Sequence, residues 1–80
     1  MIKLRITVKL KEGIEDPEAL AVKRNLILLG FKDIENVSIS KNYEILIKDT
    51  DNPEKIANEM CDRLLVNPVI HEYRVEVERV

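Results

Sequence analysis

The sequence predicts a small α+β domain in which a four-stranded antiparallel sheet carries two helices on one face, in the order β-α-β-β-α-β. Apolar and charged residues alternate near both ends of the chain, as in strands with one buried face. Two stretches with helical periodicity lie between them, and each begins at a proline that follows Asp or Asn. We therefore expect one domain over residues 1–80 with a ferredoxin-like plan, in which the first and last strands are neighbours.

The first strand and the first helix have clear local signals. Apolar residues alternate with basic or polar residues from Ile2 to Leu10, which predicts a strand with one buried face and one basic face. Asp16 is a good N-cap, and Pro17 suits the first helical position because its missing N–H would be unpaired there in any case. Gly30 is expected to end the helix. The predicted buried stripe of this helix is Ala19, Val22, Leu26 and Leu29.

The middle of the chain is predicted to form a hairpin of two strands. The first strand contains Ile34, Val37 and Ile39, and the second runs over residues 43–48 after a turn at Lys41 and Asn42. Leu46 would lie on the outer face of the sheet between Glu44 and Lys48, which makes it a candidate contact residue.

The last third of the chain predicts a second helix and a final strand. Asn52 is the expected N-cap and Pro53 the first helical residue, and Asn67-Pro68 should stop the helix by Val66. The final strand has a mainly acidic outer face, which complements the basic face of the first strand. The predicted buried face of the second helix consists of Ile56, Ala57, Met60, Cys61 and Leu64.

Size and charge exclude several classes of protein. A domain of 80 residues has a small core, and with a single cysteine it has no disulfide to support it, so we expect self-association. Thirteen basic and fifteen acidic residues give a net charge of −2, which argues against binding to nucleic acid. No apolar run is long enough for a membrane span and no phosphate-binding loop is present, so we expect a cytoplasmic protein that binds no cofactor itself.

No group of residues forms a recognisable catalytic or metal site. Cys61 lies on the predicted buried stripe without a second cysteine, and His71 has no nucleophile motif near it, so structural roles are favoured for both. The carboxylates Asp49, Asp51 and Glu54 precede or begin a helix, where capping explains them. We expect no catalytic, cofactor-binding or metal-binding residue. A ligand-sensing dimer of the ACT type and a stand-alone structural module remain open.

The run from Glu59 to Glu78 reads EMC-x-R-LL-x-NPVI-x-x-Y-x-V-E-V-E and resembles the PurS family, the small subunit of phosphoribosylformylglycinamidine synthase. Leu10-Lys11, Asp16-Pro17, Ala21-Val22 and the run Leu28–Phe31 extend the resemblance to the first half of the chain. The sequence departs from the family pattern at Glu18-Ala19, where glutamine and glycine are usual. It also has Ser38 and Ser40 where arginine and glycine are usual.

The resemblance implies an accessory subunit of an ATP- and glutamine-dependent ligase in purine biosynthesis. Such a subunit pairs with itself and joins the synthetase subunit PurL to the glutaminase subunit PurQ, while ATP and Mg are used by the complex. Most of the matched residues read as structural in this chain. With Leu46 added from the sheet face, the candidate partner contacts are Lys11, Lys41, Glu44, Leu46 and Asn67.

Overall fold

Three strands and two helices make up the chain, and the computed structural model describes all residues from Met1 to Val80. The second helix continues into one π-helical turn. In chain order the elements are β1 (Ile2–Leu10), α1 (Pro17–Leu28), β2 (Ser40–Ile47), α2 (Pro53–Met60), the π turn (Cys61–Leu65) and β3 (His71–Arg79).

The sheet has the strand order β2-β1-β3, and both pairings are antiparallel. The predicted neighbourhood of the first and last strands is confirmed, with a register that runs from Ile2 opposite Arg79 to Leu10 opposite His71. The expected attraction between the basic and acidic faces also occurs. Lys9 lies 3.3 Å from the carboxylate of Glu72, and a guanidinium nitrogen of Arg5 lies 3.2 Å from that of Glu78.

The predicted fourth strand is wrong. Residues 34–39 precede β2 without forming a strand, and β2 pairs with β1 instead of with them. The apolar positions Ile34 and Val37 are three residues apart, so they do not share one face of a strand as alternation requires. The segment returns beside α1, where Lys23 Nζ donates a 2.7 Å hydrogen bond to the carbonyl oxygen of Glu35.

The prediction that both helices cover one face of the sheet is also wrong, because α1 makes at most marginal contact with the strands. The local signals of α1 are nevertheless confirmed. Asp16 accepts hydrogen bonds from the backbone N–H groups of Glu18 and Ala19, and Gly30 has a φ of +106° just after the helix. The N–H of Phe31 donates to the carbonyl of Leu26, which completes a Schellman-type end.

The core lies between β1 and α2 and is small. Only seven residues of the chain are buried, and all of them are apolar or cysteine. Four of them alternate along β1, as predicted, and Ala57 and Cys61 from the second helical segment pack against them. The buried residues are Ile2, Leu4, Ile6, Val8, Ala19, Ala57 and Cys61.

Two details of the second helix differ from the prediction. Asn52 makes no side-chain capping bond, although Pro53 is the first helical residue as expected. Leu64 is 83% exposed instead of buried. The N–H of Val66 bonds to the carbonyl of Cys61, five residues back, so the turn holds one extra residue and the inward position passes to Leu65.

Candidate interaction surface

Six of the thirteen exposed large apolar residues of the chain lie on α1 and the segment after it, which together form an arm over residues 17–39. Ala19 is buried and Leu26 half-buried, but the apolar residues on both flanks of the helix face solvent. Leu28 and Leu29 at the end of the helix are 77% and 75% exposed. The exposed large apolar residues of the arm are Leu20, Val22, Ile27, Leu28, Leu29 and Phe31.

The outer face of the sheet is polar and largely neutralised by its own ion pairs. Besides the two pairs between β1 and β3, Lys3 lies 3.6 Å from Glu44, and Arg74 lies 3.5 Å from Glu76. Leu46 stands on this face opposite Lys3 and is 57% exposed, as the sequence predicted for its position. The outer face therefore offers one apolar side chain within a field of balanced charge.

A shallow groove of about 470 Å³ crosses one end of this face. Lys9 and Arg74 supply its positive charges, but both already face carboxylates, those of Glu72 and Glu76. Hydroxyl groups make up most of the remaining polar lining, which includes Thr7, Ser38 and Ser40. The groove consequently has no unpaired charge with which to select a charged ligand.

The structure does not bring Lys41 and Glu44 together. Lys41 lies opposite Val8 and Glu44 opposite Arg5 in the β1–β2 register, so the two side chains belong to opposite faces of the sheet. Lys41 is exposed on the side of the sheet that carries α2, near the base of the arm. Glu44 shares the outer face with Leu46. The two charged candidates therefore cannot form one contact surface.

Lys11 and Asn67 do meet, at the turn that leads into β3. Lys11 Nζ donates a 2.7 Å hydrogen bond to the carbonyl of Pro68, and the backbone N–H of Lys11 donates to the carbonyl of Ile70. The side-chain oxygen of Asn67 accepts the N–H of Val69 at 3.0 Å. Both side chains thus hold the turn in shape. Sequence reasoning assigned Asn67 to stopping the helix but did not predict this network.

The potentially reactive groups are occupied by structural contacts. Burial, with a smaller effect of the Asp62 carboxylate, raises the pKa of the Cys61 thiol and keeps it protonated. Partial burial likewise raises the pKa of Tyr73, whose hydroxyl donates to Asn58 at 3.3 Å. The N-terminal ammonium lies 2.8 Å from Asp49, and its hydrogen bond and charge lower the pKa of that carboxyl. No three metal-ligating side chains converge.

The predicted buried stripe of α1 is wrong at Val22 and Leu29, which are exposed, although the sequence contained a signal for an exposed apolar surface. Leu20 and Ile27 widen the apolar arc of α1 to roughly half of the helix circumference, which is more than one sheet contact needs.

The chain has no helix that is long and apolar enough to cross a bilayer. It is a small α+β domain with a small core and a large exposed apolar surface. Such surfaces mark the class of domains that bind a partner protein.

Comparison with known proteins identifies the family of this chain. The sequence model of the PurS family, described as phosphoribosylformylglycinamidine (FGAM) synthase, matches residues 3–79. The PurS subunit of this synthase from Methanocaldococcus jannaschii is 39% identical over 100% of this chain and 99% of its own length. The PurS subunit from Bacillus subtilis is 38% identical over 100% of this chain and 96% of its own length. The chain belongs to the PurS family.

Solved structures agree with this assignment. The crystal structure of M. jannaschii PurS has a TM-score of 0.91 at 36% identity, covering 100% of this chain and 99% of that one. A B. subtilis PurS crystal structure also has a TM-score of 0.91, at 38% identity, covering 99% and 100% of the two chains. A chain in the structure of PurLQS from Thermotoga maritima matches with a TM-score of 0.77 at 25% identity, covering 96% of each chain. Membership of this family disfavours the ACT-type alternative.

Proposed function

We propose that this chain is a non-catalytic accessory subunit of FGAM synthase that holds the synthetase subunit PurL and the glutaminase subunit PurQ together. In this role it assists the transfer of ammonia from glutamine to formylglycinamide ribonucleotide. The observation that carries the proposal is the full-length match to a chain of the T. maritima PurLQS structure. The small core and the large apolar surface suit a subunit whose contribution is binding.

Self-association is the second part of the proposal, and the surface area supports it. A compact monomer of 9.3 kDa would expose roughly 5,000 Å². This chain exposes 6384 Å², and its radius of gyration is 16.3 Å, where a compact domain of this length would have roughly 12 Å. The excess of about 1,400 Å² is close to what one protomer buries in a permanent dimer. We infer that a second copy covers the α1 arm.

The ATP and Mg used in the reaction are assigned by this proposal to the other subunits. This chain has no recognised phosphate-binding loop, and its groove on the outer sheet face has its charges already paired. The chain would therefore act on the reaction only by positioning the subunits that carry it out. An ACT-type sensor would instead show a saturable thermal shift with a small molecule.

The proposal is tested by measuring glutamine-dependent FGAM synthesis by PurL and PurQ with and without this chain, together with light scattering of the same mixtures. We expect activity and a larger particle only when the chain is present. Synthesis with free ammonia in place of glutamine is the control, because it does not require the glutaminase and should depend much less on the chain. Equal glutamine-dependent activity in its absence would contradict the proposal.

Reversing the charges of Lys41 and Glu44 is expected to weaken binding to PurL and PurQ by about tenfold without changing the fold or the self-association, because both residues are exposed. Since they lie on opposite faces, Lys41→Glu and Glu44→Lys should also be measured singly to identify the face involved. Lys55→Glu, on an exposed position of α2, is the matched control. Affinities equal to wild type for both single variants would remove these residues from the contact surface.

Leu46→Glu examines the apolar position of the outer face in the same binding assays. An unchanged oligomer and an unchanged affinity for PurL and PurQ would exclude Leu46 from every interface of the complex.

A further inference from the structure

The turn between the second helical segment and β3 is closed by hydrogen bonds that converge on Asn67 and His71. The backbone N–H of Asn67 donates to Nδ1 of the His71 imidazole at 2.9 Å. In return, the backbone N–H of His71 donates to the carbonyl of Asn67 at 2.8 Å, and the N–H of Ile70 donates to the same oxygen. Asn67 and His71 are thus joined by two hydrogen bonds of opposite direction.

Only one state of the imidazole fits this arrangement. A ring nitrogen that accepts a hydrogen bond carries no proton, so His71 is neutral and its proton is on Nε2. A second proton, taken up from solvent at Nδ1, would place an N–H group against the N–H of Asn67. The hydrogen bond would be lost and two donors would face each other.

One positive charge contacts the turn, and no carboxylate is paired with His71. Lys11, from the segment after β1, bonds to the carbonyls of Pro68 and Ile70 and brings a positive charge to the turn. Glu72, the nearest acidic residue in the sequence, lies on the other face of the sheet with its carboxylate 3.3 Å from Lys9. No ion pair joins a carboxylate to His71 in the structure.

We propose that neutral His71 acts as a pH-sensitive clamp on the turn formed by residues 67–71, and that its protonation opens the turn. The closed turn binds one proton fewer than the open turn, so lower pH favours opening. The clamp should therefore be lost as the pH falls. The opening would release the turn that carries the exposed Val69 and is held by Lys11.

The tautomer and the hydrogen bond can be measured directly, because His71 is the only histidine of the chain. In the ¹⁵N-labelled full-length protein at pH 8, we expect the NMR shifts of a neutral ring protonated at Nε2 and a protected amide proton at Asn67. At pH 5 both ring nitrogens should be protonated, and the protection factor of that amide should fall by about tenfold after correction for intrinsic exchange. A ring protonated at Nδ1 at pH 8 would overturn the proposal.

Two variants separate the clamp from a general effect of acid. In His71→Asn the side-chain oxygen stands close to the position of Nδ1 and does not titrate, so Asn67 should stay protected from pH 8 to pH 5. In His71→Leu the acceptor is absent, so protection should be about tenfold lower at both pH values. A fall in the protection of Asn67 in His71→Asn equal to that in wild type would assign the pH dependence to another group. These measurements need neither PurL nor PurQ, so they are independent of the proposed assembly role.

Discussion

Replacing Leu28 and Leu29 together by lysine is expected to dissociate the self-associated protein, with a rise in the dissociation constant of at least about 100-fold. The two side chains are 77% and 75% exposed at the end of the α1 arm. If a second copy buries the two leucines, the lysines lose this apolar burial and place unpaired charges in the interface. The combined cost to the free energy of association is on the order of 3 kcal/mol or more. Light scattering and sedimentation over a range of protein concentrations would measure the change.

The choice of lysine at these positions protects the fold of the single chain. Positive charge is favourable at the C-terminal end of a helix, and side chains this exposed contribute little to the core. The matched control is Leu64→Lys with Val69→Lys, which adds the same charge at apolar positions outside the arm that are equally exposed, at 83% and 77%. An unchanged oligomer in the Leu28 and Leu29 variant, with normal circular dichroism, would show that the arm is not the self-association surface.

Ile6→Ala is expected to lower the free energy of unfolding by about 2–5 kcal/mol. Ile6 is fully buried at the centre of β1, between Tyr43 of β2 and Val75 of β3 in the sheet register. With seven buried residues in the whole chain, the core has few neighbours that can move to fill the cavity. Chemical denaturation at equal protein concentration measures the loss, since the proposed self-association would also contribute to the apparent stability.

The neighbouring position provides the control for the core prediction. Thr7 points to the outer face of the same strand, where its hydroxyl lies 3.5 Å from the side-chain oxygen of Asn42. Thr7→Ala should therefore cost less than about 1 kcal/mol, mainly through its lower strand propensity. Equal losses at the two positions would contradict the assignment of the buried and exposed faces of β1.

The agreement between sequence and structure is best where a signal involves only a few neighbouring residues. The alternation in β1, the cap at Asp16, the glycine at position 30 and the stop at Asn67-Pro68 are all found as expected. Each depends on the backbone preferences of residues within one turn or on a period of two along a strand. The charge complementarity that placed the first and last strands side by side is also present in the ion pairs between them.

The candidate contacts could be predicted as individual residues but not as a surface. Lys41 and Glu44 are close in sequence, but the strand that contains them turns their side chains to opposite faces. Asn67 and Lys11 are 56 positions apart and meet at one turn, where the hydrogen bond to His71 completes the network. A linear pattern does not specify such distances, because they depend on which segments pack together.

By itself the sequence determined where most of the strands and helices begin and end, and that β1 and β3 are paired. Only the tertiary structure decided that residues 34–39 run beside α1, that Leu65 replaces Leu64 at the core and that α1 leaves the sheet. The physical reason is that local signals report the preferences of a few residues, whereas packing is a competition among all apolar surfaces. In this chain α2 and the π turn after it cover the buried face of the sheet, and the apolar surface of α1 is left exposed.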